Sequence, residues 1–165
     1  MKRNTGRLIL MLIALAIALA GCGSDAKEPA ATEEPVATEA PVQAASGLTI
    51  SVGALTEEPQ FIDWTQDGTA MQLIALKDSA DAPQLAYNTC QVCAGSPYAY
   101  FEYQNGALVC QNCGNRFPLS SVGRVSGGCN PKPVTDYEVL GDSVVVSEET
   151  LAAGAASFKN WKVFQ

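Results

Sequence analysis

Two cysteine pairs of identical spacing constrain the fold of this chain more than any other feature. Cys90 and Cys93 form one C-x-x-C motif, Cys110 and Cys113 form a second, and sixteen residues separate the two. A C-x-x-C turn brings two sulfurs close enough to bind one ion, and four thiolates are the set that tetrahedral zinc or iron accepts. The spacing lies in the range of paired metal-binding knuckles. The sequence therefore predicts a small domain built around a cysteine-ligated metal centre.

Two other interpretations of the pairs remain open. An oxidising compartment would allow two disulfides, but a C-x-x-C disulfide closes a loop too short to stabilise a fold much and is typically redox-active. A thioredoxin-like site would place the motif at the start of a helix, whereas Cys93 is followed by Ala94 to Pro97 and then a predicted strand. A metal site is thus favoured over dithiol chemistry, and both over cysteines that only fill a core.

A fifth cysteine, Cys129, lies in a glycine turn, Gly127 to Pro131. Glycines allow the backbone to approach a neighbouring group closely. Cys129 is interpreted either as a buried structural residue or as a further sulfur that completes or gates the metal site. Three cations lie between or just after the motifs and would either offset thiolate charge or be ordinary surface residues: Arg116, Arg124 and Lys132.

The first residues predict export and lipidation. Lys2, Arg3 and Arg7 precede an apolar run from Leu8 to Ala20, which is followed by Gly21 and Cys22. A positive start, a short apolar stretch and small residues before a cleavage site are typical of a signal peptide. We expect residues 1–21 to be removed and Cys22 to carry acyl chains, which anchor a protein on the extracytoplasmic face of the cell membrane. An uncleaved N-terminal anchor is the alternative.

Residues 22–46 are predicted to be a disordered linker, because Ala, Pro, Thr and Glu dominate and apolar bulk is lacking. The chain has 10 basic and 17 acidic residues, and the signal peptide holds three of the basic ones, so 7 basic residues would face 17 acidic ones. Such a surface repels nucleic acid, which argues against a nucleic-acid-binding zinc ribbon. Histidine is absent from the sequence. The commonest general base is therefore missing, and we expect a carrier rather than an enzyme.

Residues 47–165 are predicted to be one mainly β domain made of hairpins, with one C-terminal helix. Asn105-Gly106 and Gly141-Asp142 mark two hairpin turns, and the segment 78–83 separates two further strands. Ser147 is the predicted helix cap. Asp63, an acidic residue within an apolar run, is expected at a turn or an edge. The architecture expected from the pattern is a small hairpin-built β domain with the cysteines on rubredoxin-type knuckles.

Three motifs in fixed order resemble the FtrD-like membrane iron–sulfur family: N-T-C-Q-V-C (residues 88–93), V-C-Q-N-C-G-N-R-F (109–117) and G-G-C-N-P-K-P (127–133). The resemblance implies that all five cysteines occupy motif positions and serve an iron–sulfur or other metal centre in bacterial iron uptake. A fainter resemblance to the Rieske cluster domain lies in the second motif, the glycine turn and the hairpin after it, and it implies a β-sandwich of the Rieske-like kind. Cys93 and Cys113 would stand there where a Rieske domain has histidines, which would lower the reduction potential.

These features predict a lipid-anchored protein with an iron–sulfur cluster or cysteine-ligated iron, passing electrons or metal ions to a membrane transport or redox partner. In the first hypothesis Cys90, Cys93, Cys110 and Cys113 are the ligands, and Cys129 completes or gates the site. One rival is a structural zinc ribbon acting as a binding module of a surface complex. The other is a thiol–disulfide redox protein.

Overall fold

The computed structural model describes residues 43–44 and 47–164. The predicted signal peptide, Cys22 and the linker up to residue 42 lie outside the described residues, as do residues 45–46 and 165. Within the described part, eleven strands and one α-helix follow one another along the chain: β1 Gln43–Ala44, β2 Gly47–Ser51, β3 Gln60–Gln66, β4 Thr69–Lys77, β5 Pro83–Cys90, β6 Phe101–Gln104, β7 Ala107–Cys110, β8 Arg116–Pro118, β9 Pro131–Pro133, β10 Glu138–Leu140, β11 Ser143–Ser147 and α1 Glu148–Ala155.

The strands form three small antiparallel sheets. The first has the order β1-β2-β11-β10, the second β3-β4-β5-β9, and the third β6-β7-β8. Strand β1, which falls within the segment predicted as linker, pairs Ala44 with Gly47. The helix α1 follows β11 directly. The predicted fold class, mainly β with one C-terminal helix, is confirmed.

The predicted hairpins form where the turn residues permit positive φ. Asn105 and Gly106 have φ angles of 49° and 78°, which suits the two-residue turn that matches strand twist. This turn sets the pairing of Gln104 with Ala107 and, three pairs further, of Phe101 with Cys110. The turn chemistry therefore fixes where the second cysteine pair begins.

Strand β3 was not predicted from the sequence. It pairs with β4 across a turn at Asp67 and Gly68, both with positive φ. Asp63 lies in the middle of β3, which is an edge strand of the second sheet, so the expected edge position is confirmed. Its carboxylate accepts a hydrogen bond from Gln72 Nε2 at 2.6 Å.

The second sheet is buried on both faces because it separates two hydrophobic cores. Leu73 and Ala75 of β4 pack into the core that contains β2, β11 and α1. Ile74 and Leu76 of the same strand pack into the core that contains β6, β7 and β8. Since successive side chains of a strand point to opposite faces, alternate residues of β4 serve different cores. The second of these cores contains Cys90 and Cys110.

The C-terminal helix begins at the predicted cap, where Ser147 Oγ accepts a hydrogen bond from Thr150 N at 3.1 Å. Gly154, within α1, has a packing role. A Cβ at this position would lie 2.5 Å from the Tyr87 ring, so only glycine lets the helix approach β5 this closely. In the described part of the chain, no helix is long and apolar enough to cross a membrane.

Candidate metal centre

Each cysteine pair begins at the last residue of a strand. Cys90 ends β5 and Cys110 ends β7, and both side chains are fully buried. The Cys90 N–H donates to Ala99 O at 2.9 Å and the Cys110 N–H to Asn115 O at 2.9 Å, so the chain after each strand turns back on it. The second cysteine of each pair lies nearer the surface: Cys93 is half-buried and Cys113 is exposed.

Backbone N–H groups in both turns act on the pKa of the first cysteine. Burial raises the pKa of the Cys90 thiol, and the N–H groups of Cys93 and Val92 oppose that effect. The N–H groups of residues 113 and 112 oppose the effect of burial on the pKa of Cys110 in the same way. Such donors stabilise thiolates and orient metal ligands. The two turns are therefore equivalent knuckles, each prepared for a negative sulfur.

The thiols differ in acidity according to burial and hydrogen bonding. Burial raises the pKa of the Cys90 thiol, and burial likewise raises the pKa of Cys110. The Asn115 backbone N–H lowers the pKa of the exposed Cys113 thiol below its usual value. In the metal-free protein, Cys113 is thus the sulfur most prepared to ionise.

The structure brings all five predicted cysteines to one place. The sulfurs of Cys90, Cys93, Cys113 and Cys129 all lie within 4.8 Å of one another. Cys110 lies outside this set, but it belongs to the same core as Cys90, and Cys93 and Cys129 pack against that core. The donors of the set are sulfurs alone, which suits zinc, iron and iron–sulfur centres. Iron held by cysteine therefore fits the chemistry of the site, and its binding stays a prediction.

Hydrogen bonds of Gln91 and Asn115 hold the loop of residues 127–130, which carries Cys129, against the two C-x-x-C turns. Gln91, inside the first C-x-x-C, donates its N–H to Asn130 O at 3.1 Å and accepts at Oε1 from Gly127 N at 2.9 Å. Asn115, just after the second pair, donates from Nδ2 to Cys129 O at 3.3 Å. Gln91, inside the first C-x-x-C, and Asn115, just after the second, therefore fasten the loop that carries Cys129, a role that sequence reasoning missed.

The Asn88 side chain links β5, which ends in the first C-x-x-C turn, to β6, which pairs with the strand that ends in the second. Its side chain is fully buried; Oδ1 accepts from Phe101 N at 2.7 Å, and Nδ2 donates to Phe101 O at 3.2 Å and to Gln72 Oε1 at 2.7 Å. The Asn88 carbonyl accepts from Trp161 Nε1 at 2.7 Å. Phe101 pairs with Cys110, and Asn88 precedes Cys90 by two residues. An asparagine within a predicted strand, two residues before a cysteine, was the available signal for this link.

The three cations near the motifs have partners other than the cysteines. Arg116 donates to the carbonyls of the β6–β7 turn, and Arg124 pairs with Asp78. The Lys132 ammonium lies 3.4 Å from Ser157 Oγ and 5.5 Å from the centroid of the Tyr87 ring. These contacts favour the interpretation of the cations as structural or surface residues.

Comparison with known proteins connects this site to a family. A family model described as "Membrane iron-sulfur containing protein FtrD-like" matches residues 56–158, which include all five cysteines. No curated protein and no solved structure matches the chain. The fainter resemblance to the Rieske domain therefore has no support from known structures.

Proposed function

The chain belongs to the FtrD-like family of membrane iron-sulfur containing proteins, and from this membership we propose that it is an electron carrier of bacterial iron uptake. Its cysteine-ligated iron centre exchanges single electrons with a membrane transport or redox partner on the extracytoplasmic face. The observation that carries the proposal is the set of four sulfurs within 4.8 Å of one another. Bound iron supplies a one-electron change of oxidation state. The chain supplies the thiolates, the N–H groups that orient them and the apolar wall behind them.

The burial of the site favours electron transfer over delivery of the metal itself. Cys90 and Cys110 are fully buried at strand ends, and backbone N–H groups hold their sulfurs in place. Releasing an ion would leave the buried Cys90 thiolate unpaired in an apolar core, which is costly. A ligand set that keeps its geometry in both oxidation states suits a resident redox centre.

Anchoring at Cys22 places the domain within reach of a membrane partner. This lipid anchor is supported by the signal-peptide pattern of residues 1–22 alone, which lie outside the part of the chain that the structure describes. Metabolic labelling with an alkyne fatty acid would test it: the full-length protein incorporates label, and Cys22→Ser abolishes labelling. A labelled Cys22→Ser protein would contradict the anchor.

The function is tested on full-length protein extracted from membranes in detergent under anaerobic conditions. We expect stoichiometric iron, visible absorption, and a spectrum that bleaches with dithionite and returns on reoxidation. Cys93→Ser should lose the iron and the colour, while Ser96→Ala, three residues along the same turn, should keep both. A colourless protein with stoichiometric zinc would contradict electron transfer and favour the zinc ribbon. Disulfides without metal would favour thiol redox chemistry, and complete loss of iron to a mild chelator within minutes would favour metal delivery.

A further inference from the structure

We propose that the centre is a single iron ion bound by Cys90, Cys93, Cys113 and Cys129, with no bridging sulfide. This inference rests on the proposed function, because it specifies the centre that the carrier would use. It differs from the sequence-based expectation in replacing Cys110 with Cys129 among the ligands. It also differs from a two-iron or four-iron cluster.

The spacing of the sulfurs supports a single ion. Metal–thiolate bonds of ~2.3 Å place the four sulfurs of a tetrahedral site ~3.8 Å apart. All pairs among the four sulfurs lie within 4.8 Å, so none is much wider than a tetrahedron requires. In a bridged cluster, thiolates bound to different irons lie on opposite sides of the inorganic sulfides and are necessarily farther apart. No pair among these four has that wider separation.

The position of Cys110 supports the same conclusion. Cys110 packs in the same core as Cys90, with Cys93 and Cys129 against that core, and it has no exposure. Apolar side chains of this core close the buried side of the site, among them Ile74 and Phe117. The fifth sulfur therefore takes up room that bridging sulfides would need.

The path of the chain is consistent with Cys129 as the fourth ligand. Residues 127–130 are held against the first knuckle by Gln91, through Gly127 N and Asn130 O, and against the second by Asn115, through Cys129 O. Cys129 is half-buried, beside the exposed Cys113. Two strand ends thus supply the inner part of the site, and the glycine loop closes it from outside.

Measurement of iron and acid-labile sulfide on the wild-type full-length protein tests the nuclearity. We expect one iron per chain, no acid-labile sulfide and the electron paramagnetic resonance signal of isolated high-spin ferric iron. Reconstitution with ferrous iron and sulfide together should give the same ratio as ferrous iron alone. Two or more irons with matching sulfide would overturn the inference while leaving electron transfer intact. Absence of bound metal would instead overturn the proposed function.

Matched variants test the ligand set. Cys110→Ala should keep one iron per chain with a shifted reduction potential, whereas Cys129→Ala should lose the iron under the same conditions. Circular dichroism of each variant checks that it is folded. If Cys110→Ala does not fold, Cys110→Ser takes its place in the comparison. Folded Cys110 variants without iron, or a Cys129→Ala protein with its full iron content, would overturn the assignment.

Discussion

Replacing Asn88 with alanine should destabilise the protein more than a typical buried substitution, because it breaks the link between the second and third sheets. The change removes three side-chain hydrogen bonds, of 2.7, 3.2 and 2.7 Å. It leaves the buried Phe101 N–H without its partner, and it leaves Gln72 Oε1 with only the Lys162 ammonium at 3.5 Å. Each buried polar group left without a partner costs ~1–3 kcal/mol. We therefore expect a loss of about 4 kcal/mol, a large part of the ~5–15 kcal/mol that stabilises most domains.

The assay is urea denaturation of Asn88→Ala beside Thr89→Val. Thr89 is the neighbouring residue and equally buried, but its hydroxyl makes one hydrogen bond, to Ser157 O at 3.2 Å. We expect its replacement to cost about 1 kcal/mol. Asn88→Ala should also release metal to a chelator faster than wild type, since the knuckles lose their common support, while Thr89→Val should not. Equal losses of stability in the two variants, or an unchanged release rate in Asn88→Ala, would refute the reasoning.

Three further predictions follow from local contacts. Gly154→Ala places a Cβ 2.5 Å from the Tyr87 ring, and overpacking of ~1–3 kcal/mol should lower the midpoint of urea unfolding despite the better helix propensity of alanine. In metal-free protein, the lowered pKa of Cys113 predicts that iodoacetamide modifies it before the buried thiols, as peptide mass spectrometry would show; faster modification of Cys110 would contradict this. Hydrogen bonds from the Ala82 and Ala80 N–H groups, with Arg124 nearby, lower the pKa of Asp78 from 3.8. The stabilisation that the ionised Asp78 carboxylate provides is therefore present above pH 3.8 and is lost as the pH falls through the lowered pKa. The free energies of unfolding of wild type and Asp78→Asn should therefore converge in acid.

The hairpins were predictable because their signals are local. Asn105-Gly106 and Gly141-Asp142 specify a turn from two adjacent residues, and the strands on either side follow. Strand β3 had a comparable signal in Asp67-Gly68, and Ile62, Trp64 and Gln66 alternate inward. The buried Gln66 hid this alternation, because its place in the core depends on the hydrogen bond it accepts from Trp64 Nε1.

The meeting of the two cysteine pairs was predictable from their spacing and the hairpin between them. The choice between Cys110 and Cys129 was not, because it depends on how the glycine loop lies across the knuckles. That placement is set by Gln91 and Asn115 through contacts with residues 14 to 40 positions away. The Asn88 link likewise joins residues 13 and 16 positions apart. Motif spacing carries no information on contacts of this range.

The two-sided burial of the second sheet has a consequence for how the protein matures. The core shared with β2, β11 and α1 contains no cysteine among its described residues, so newly synthesised chain can complete it before any metal arrives. The other core, which contains Cys90 and Cys110, then assembles on a sheet that is already in place. We expect amide hydrogens of β2 and β11 to exchange more slowly than those of β6 to β8 in metal-free protein, and the difference to narrow on loading. Maturation in two stages would keep the exposed Cys113 thiol accessible to incoming metal while the rest of the domain resists proteolysis.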